Sequence, residues 1–150
     1  MTDKIKFQIT TPERVVYEDE VDEVVLPTLQ GEIGILPHHI PLVSLLSVGE
    51  IRIKKGSETV YMAVSGGFLQ VKPNQVTVLA DTAEREDEID EKRAEEARQR
   101  AHELLNKKRA DATDFAAVSA KLEKELARLK VARRRRRQPR YGPSSGLQKE

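Results

Sequence analysis

The feature that most constrains this chain is a change of character near residue 84. Before it, β-branched and aromatic residues come in short runs broken by glycine and proline. After it, Ala, Glu, Lys and Arg dominate. Short interrupted runs suit strands, and long alanine-rich charged text suits helices. Charge divides at the same place. Residues 1–83 hold 7 Lys and Arg against 11 Asp and Glu, a net of about −4, and residues 84–150 hold 19 against 14, about +5. A chain of 150 residues with this division reads as one β domain carrying a helical appendage.

Several classes drop out early. The chain has no cysteine, which removes disulfides, thiolate zinc sites and cysteine nucleophiles and fits a reducing compartment. No run of ~18 apolar residues offers a transmembrane helix. The opening MTDKIKFQ lacks the apolar core of a secretory signal. The expectation is a soluble, cytoplasmic chain.

In the first part, Lys4–Thr10 alternates, with Ile5, Phe7 and Ile9 on one face. Turn signals follow at Pro12, Pro27, Gly31, Gly34, Pro37, Pro41, Gly49, Gly56, Gly66–Gly67 and Pro73–Asn74. Apolar runs lie between them at Val24–Leu26, Ile51–Ile53, Val60–Val64, Phe68–Val71 and Val76–Leu79. Strands of this length, so often interrupted, predict a sandwich or flattened barrel.

The second part predicts two helices. Asp87 is the expected N-cap of the first, with Asp90 completing a box-like start and Lys107-Lys108-Arg109 at its end. Its apolar stripe is Ala94, Ala97, Ala101, Leu104 and Leu105. A turn at Ala110–Thr113, with Asp111 or Thr113 capping, leads to a second helix whose stripe is Phe115, Val118, Leu122, Leu126 and Leu129. Such narrow faces bury little area, so the hairpin must dock on the β domain, a ligand or a partner. Residues 138–150, rich in Pro, Gly and Ser, read as a disordered tail.

Three groups carry candidate chemistry. His38 and His39 are adjacent in GEIGILPHH, and in extended chain their side chains diverge, which opposes a shared metal. They read as polar loop residues or as a contact surface, with no metal or catalytic residue assigned. Arg133, Arg134, Arg135, Arg136 and Arg137 form an unbroken run. It suits nucleic acid, a helix C-terminus, or an acidic protein surface. In EIDEKRAEEARQR, Arg93 and Arg100 share a helix face about 10 Å apart along the axis, with Asp90 a turn earlier. Two forks on one face can hold phosphate oxygens. Equally, Asp90 caps the helix, Glu96 pairs with Arg100, and the face is solvated. No phosphate-cradling glycine loop with lysine is present.

In order along the chain, GEIGILPHHIPLV, VSGGFLQV, VTVLADTAER and IDEKRA resemble the epsilon-subunit family of bacterial F-type ATP synthases, over about residues 1–130. The resemblance implies a ten-stranded β-sandwich at 1–84 and a two-helix regulatory hairpin at 85–137. It implies a non-catalytic rotor subunit of the central stalk, bound to gamma and standing on the c-ring, that serves proton-driven ATP synthesis. It places the subunit on the cytoplasmic face of the cell membrane, touching the membrane only through the complex. The hairpin is expected to extend into the alpha–beta head and block ATP hydrolysis.

The same resemblance assigns residues. Glu32 and His39 match the family loop that faces the c-ring, while His38 stands where glycine is common. Ile89, Asp90, Arg93 and Ala94 match a motif that binds ATP in some members. Glu84, Arg100 and Arg128 match further contacts, and Lys124 stands where arginine is expected. The implied ligand is ATP as a regulator, with no required cofactor and no visible magnesium motif. Arg133–Arg137 extend past the usual family ending and are expected to be mostly solvated in the folded-down state, then to meet acidic segments of beta in the extended one. The competing expectations are a nucleic-acid-binding module using the arginine run and a small metal-dependent β-sandwich enzyme.

Overall fold

The computed structural model describes residues 3–107 and 112–137. Eight strands precede two helices: β1 Ile5–Thr10, β2 Val15–Val21, β3 Glu23–Thr28, β4 Gly31–Ile35, β5 Leu42–Lys55, β6 Glu58–Lys72, β7 Gln75–Ala80, β8 Ala83–Arg85, α1 Glu91–Lys107 and α2 Ala112–Arg137. The expected tail at 138–150 lies outside the described residues.

The sandwich is organised by its two longest strands. The first half of β5 and the second half of β6 join β7, β1 and β2 in one layer. The second half of β5 and the first half of β6 join β3, β4 and β8 in the other. β1 and β7 run parallel, and the other pairs are antiparallel. Eight strands thus stand where ten are expected. β5, with 14 residues, and β6, with 15, each pass through both layers unbroken and count once rather than twice.

The punctuation misleads for the same reason. Pro27, Gly34, Gly49 and Gly66–Gly67 lie inside strands, not in turns, whereas Gly31 closes the turn between β3 and β4. At Gly49 a Cβ would sit 2.9 Å from the Pro27 Cβ, so this glycine lets β5 pass close under β3. Gly66 and Gly67 have φ of 121° and 135°, and a Cβ on Gly67 would lie 2.0 Å from the Leu79 carbonyl oxygen. These residues allow one strand to cross between layers against β7. Pro12 and Pro73–Asn74 do mark chain reversals.

The alternation in β1 is realised: Ile5, Phe7 and Ile9 are buried. They join Val24, Leu26, Ile51, Ile53, Met62 and Leu69 in one core, where Phe7 packs against Tyr17 at 5.9 Å between ring centroids. Each fully buried aliphatic side chain contributes roughly 1.5–3 kcal/mol.

The first helix starts later than its first acidic residue suggests. Asp90, not Asp87, is the cap: its Oδ1 accepts from the Arg93 amide at 3.2 Å, and its carbonyl accepts from the Ala94 amide at 3.0 Å. Residues 86–88 form a turn, closed by the Glu88 amide donating to the Arg85 carbonyl at 3.1 Å. α2 begins at Ala112, so Thr113 is already helical, and Asp111 lies outside the described residues.

The α2 stripe is corrected as well. Its buried residues are Ala127, Leu129, Val131 and Ala132, while Phe115 and Leu126 are exposed. Of the expected stripe, Leu129 is buried and Val118 and Leu122 are half-buried, so the spacing becomes full burial only near the base of the hairpin. At the base, Leu129, Val131 and Ala132 meet Ile89, Ala94 and Ala63 in a second small core edged by Tyr61. Small side chains here let the helices approach each other and the sheet closely.

Candidate functional site

Two free surfaces and one internal joint hold the candidate residues. The first surface is the loop from β4 to β5. His38 has φ of 65°, the left-handed conformation that glycine adopts without cost, and it is the only non-glycine so placed among the described residues. Its amide donates to the Pro73 carbonyl at 2.7 Å and its Nε2 lies 2.6 Å from Asp3 Oδ2. His39 turns away, its Nδ1 2.7 Å from the Ile40 carbonyl oxygen. Glu32 accepts from Arg52 at 3.0 Å. The histidine rings thus serve separate partners, and around them Leu36 and Ile40 are exposed. The loop presents apolar side chains in a rigid frame, as a contact surface does.

The second surface is the outer face of the β7-containing layer. Leu45 pairs with Phe68, and Phe68 pairs with Leu79, so the three form one row across β5, β6 and β7. All are exposed, Phe68 by 57%, and Val43 lies on the same β5 face. A row of this kind on an otherwise charged protein reads as a docking face. The alternation of Phe68 with buried Leu69 carries this signal in the sequence, once the strand is known to have one face free.

The joint sets the hairpin on the other layer. Arg128 closes a fork on Glu84, Nε to Oε2 at 2.7 Å and Nη2 to Oε1 at 3.2 Å, and its Nη1 donates to Glu125 at 2.8 Å. Burial works against its charge, but Glu84 and Glu125 hold its pKa above the ordinary value. Arg134 closes a second fork on Glu50, at 3.2 and 3.1 Å, and its guanidinium lies over the Tyr61 ring at 4.9 Å. Arg133 reaches Glu95 on α1 at 3.2 Å. Arg133 and Arg134 are therefore engaged within the chain, Arg133 while still 57% exposed, and Arg135 is exposed. The side chains of Arg136 and Arg137 lie outside the described residues.

The residues assigned to nucleotide are only partly gathered. Glu84 and Lys124 line a cleft of about 310 Å3 with Thr11, Arg14 and Asp81, and Arg128 adjoins it through Glu84. Ile89 and Ala94 are buried in the joint. Asp90 lies in a separate open cleft beside Glu91, Glu95 and Glu96. Arg93, 83% exposed, pairs with Asp90 at 3.5 Å. Arg100 donates to the backbone carbonyl of Glu96 at 3.3 Å rather than to its carboxylate. Among the described residues, the hydrogen bonds and ion pairs of Arg93 and Arg100 lead to Asp90 and Glu96, not to Glu84 or Arg128. In this arrangement Asp90 acts as the helix cap, and Glu84 is occupied by Arg128.

The family model of the ATP synthase delta/epsilon chain β-sandwich domain matches residues 4–86, and that of its long α-helix domain matches residues 87–133. The chain belongs to the ATP synthase delta/epsilon family. An ATP synthase epsilon chain of Dehalococcoides mccartyi is 48% identical over 136 residues, covering 91% of this chain and 97% of that one. Among solved structures, the fold is shared with a chain of the Euglena gracilis mitochondrial ATP synthase, with TM-score 0.75 at 23% identity over 86% of this chain and 81% of that one. It is shared more distantly with a chain of the Tetrahymena thermophila mitochondrial ATP synthase central stalk and c-ring, with TM-score 0.52 at 12% identity over 89% and 97%. Within this family member, sequence reasoning missed Glu50, Tyr61 and Ala63, which form the floor under α2. They lie on two strands far from α2 in sequence, and no local pattern announces them.

Proposed function

We infer that this chain is the epsilon subunit of a bacterial F-type ATP synthase, a non-catalytic part of the central stalk. The exposed row Leu45, Phe68 and Leu79 carries the reading, because one sandwich layer is covered by the hairpin and the other keeps an apolar face uncovered. That face is the gamma-binding surface in this reading. Glu32 on β4 and His39 in the loop that follows it rest on the c-ring, which holds the subunit peripherally at the cytoplasmic side of the membrane and couples it to proton flow. No described helix is long and apolar enough to cross a membrane. Co-purification of Phe68→Glu with gamma and the alpha–beta head tests it: the variant folds but is lost from the complex. A variant that stays bound as well as the parent sinks the assignment of this face.

The hairpin is the regulatory element of this proposal. Its small apolar base and its polar forks suit a docked state that can be left. ATP binds the docked hairpin through Asp90, Arg93, Arg100 and Arg128, supported by the complete I-D-x-x-R-A pattern. Because Glu84 already holds Arg128, and Lys124 offers no planar fork, the affinity is modest. Titration calorimetry with millimolar ATP, giving heat that Arg93→Ala abolishes, is the expected result. In the released state Arg133–Arg137 meet acidic segments of beta and inhibit hydrolysis, and truncation after Ala132 relieves that inhibition at low salt.

A further inference from the structure

Glu50, Ala63 and Glu84 form one cross-strand row, since Glu50 pairs with Ala63 and Ala63 pairs with Glu84. The backbones at Glu50 and Glu84 are two strand spacings apart, about 9.6 Å. Arg128 and Arg134 are six residues apart on α2, about 9 Å of helical rise. A helix crossing this row can set one arginine on each carboxylate while Ala63 leaves room for its backbone between them. Both forks are made. The two ends differ in burial. The Glu84 side chain is 31% exposed, whereas that of Glu50 is 2% exposed beneath an arginine that also covers Tyr61.

We propose that Glu50 and Arg134 form the catch that holds α2 on the sandwich, and that Arg134 is the member of the arginine run which sets the docked state. The proposal rests on the reading of the hairpin as a movable element. The pair exists only while α2 lies on the row. A lone buried carboxylate or a lone guanidinium at this site is unfavourable, so loss of either partner biases α2 away from the sheet. Replacement of both by uncharged groups of similar size removes that bias. Within the run, Arg134 is thus the member that reaches the sheet, while Arg133 pairs with α1.

Hydrogen exchange on the full 150-residue chain tests the catch without the rest of the complex, so its outcome is independent of whether gamma binds. Arg134→Ala and Glu50→Gln should each speed amide exchange in the last third of α2 by about tenfold or more, with β1 and β7 amides unchanged. Glu50→Gln combined with Arg134→Gln should recover part of the protection. Arg133→Ala, which removes the ion pairs of a half-exposed guanidinium with Glu91 and Glu95 of α1 and leaves the Glu50 fork to the sheet intact, should change these amides less than about threefold. The idea is overturned if α2 exchange in Arg134→Ala matches the parent, if β1 and β7 loosen equally, if the double variant is no better protected than the singles, or if Arg133→Ala loosens α2 as much.

Discussion

Arg128 grips both carboxylate oxygens of Glu84, 44 residues earlier in the chain, and through this fork α2 is tied to the short strand β8. With the Arg128 side chain 19% exposed, the pair is shielded enough to matter. Glu84→Ala leaves Arg128 with Glu125 alone and should weaken hairpin docking by about 1.5–3 kcal/mol. Limited proteolysis within α2 is the readout: cleavage should accelerate while the sandwich persists as a stable fragment. An unchanged rate would mean the fork contributes nothing to docking.

Gly67 supplies a second prediction. Its φ of 135° and the 2.0 Å approach of a Cβ to the Leu79 carbonyl oxygen leave no room for a side chain. Because the obstacle is backbone, relief requires β6 and β7 to separate. Gly67→Ala should destabilise the sandwich by about 3 kcal/mol or more, read as a lower urea midpoint.

His38 makes the opposite case. It holds a left-handed conformation as an L-residue and bonds Asp3 from an exposed position. His38→Gly should stabilise or leave unchanged the melting temperature, whereas His38→Val should cost about 1–2 kcal/mol, since a β-branched side chain tolerates this conformation poorly. Equal melting temperatures for the two variants would refute the strain argument.

Acid should loosen the sandwich first. Asp19 is held below its ordinary value by its hydrogen bond from Lys55 and by the Glu20 amide, and Asp22 by its hydrogen bond from Lys4 and by the Gly56 amide. A depressed carboxyl contributes stability that is present above its unfolded value and lost as pH falls through its folded one. Melting temperature should therefore fall as pH drops below the ordinary carboxylate range, and Lys55→Met should flatten that fall. Glu86, in the turn before α1, has the other sign. Burial pushes its carboxyl up, so its contribution is present in acid and lost as pH rises through the raised value. Carboxyl titrations followed by NMR should show Asp19 and Asp22 displaced down and Glu86 up.

The sequence by itself determined the two-part plan, the inward face of β1 and the identity of the charged motif at the start of α1. These are local matters. Period-two alternation at Ile5, Phe7 and Ile9 needs only a strand, and a helix cap needs only the turn that follows it, although the cap is Asp90 and not the expected Asp87. Strand continuity was not local. Glycines in β5 and β6 look like breaks, yet Gly49 and Gly67 are required by the proximity of Pro27 and of the Leu79 backbone, which only the folded sandwich supplies. The helical stripe held only in part, at Val118, Leu122 and Leu129, for a related reason. Phe115 and Leu126 have the spacing of a buried face, but burial depends on a neighbouring layer, and the small core at the sheet takes in Leu129, Val131 and Ala132 instead. The arginine run was visible at once, and its division of labour was not. Arg134 finds Glu50 across 84 residues because two strand spacings match six residues of helix, a relation of tertiary distances that no one-dimensional pattern records.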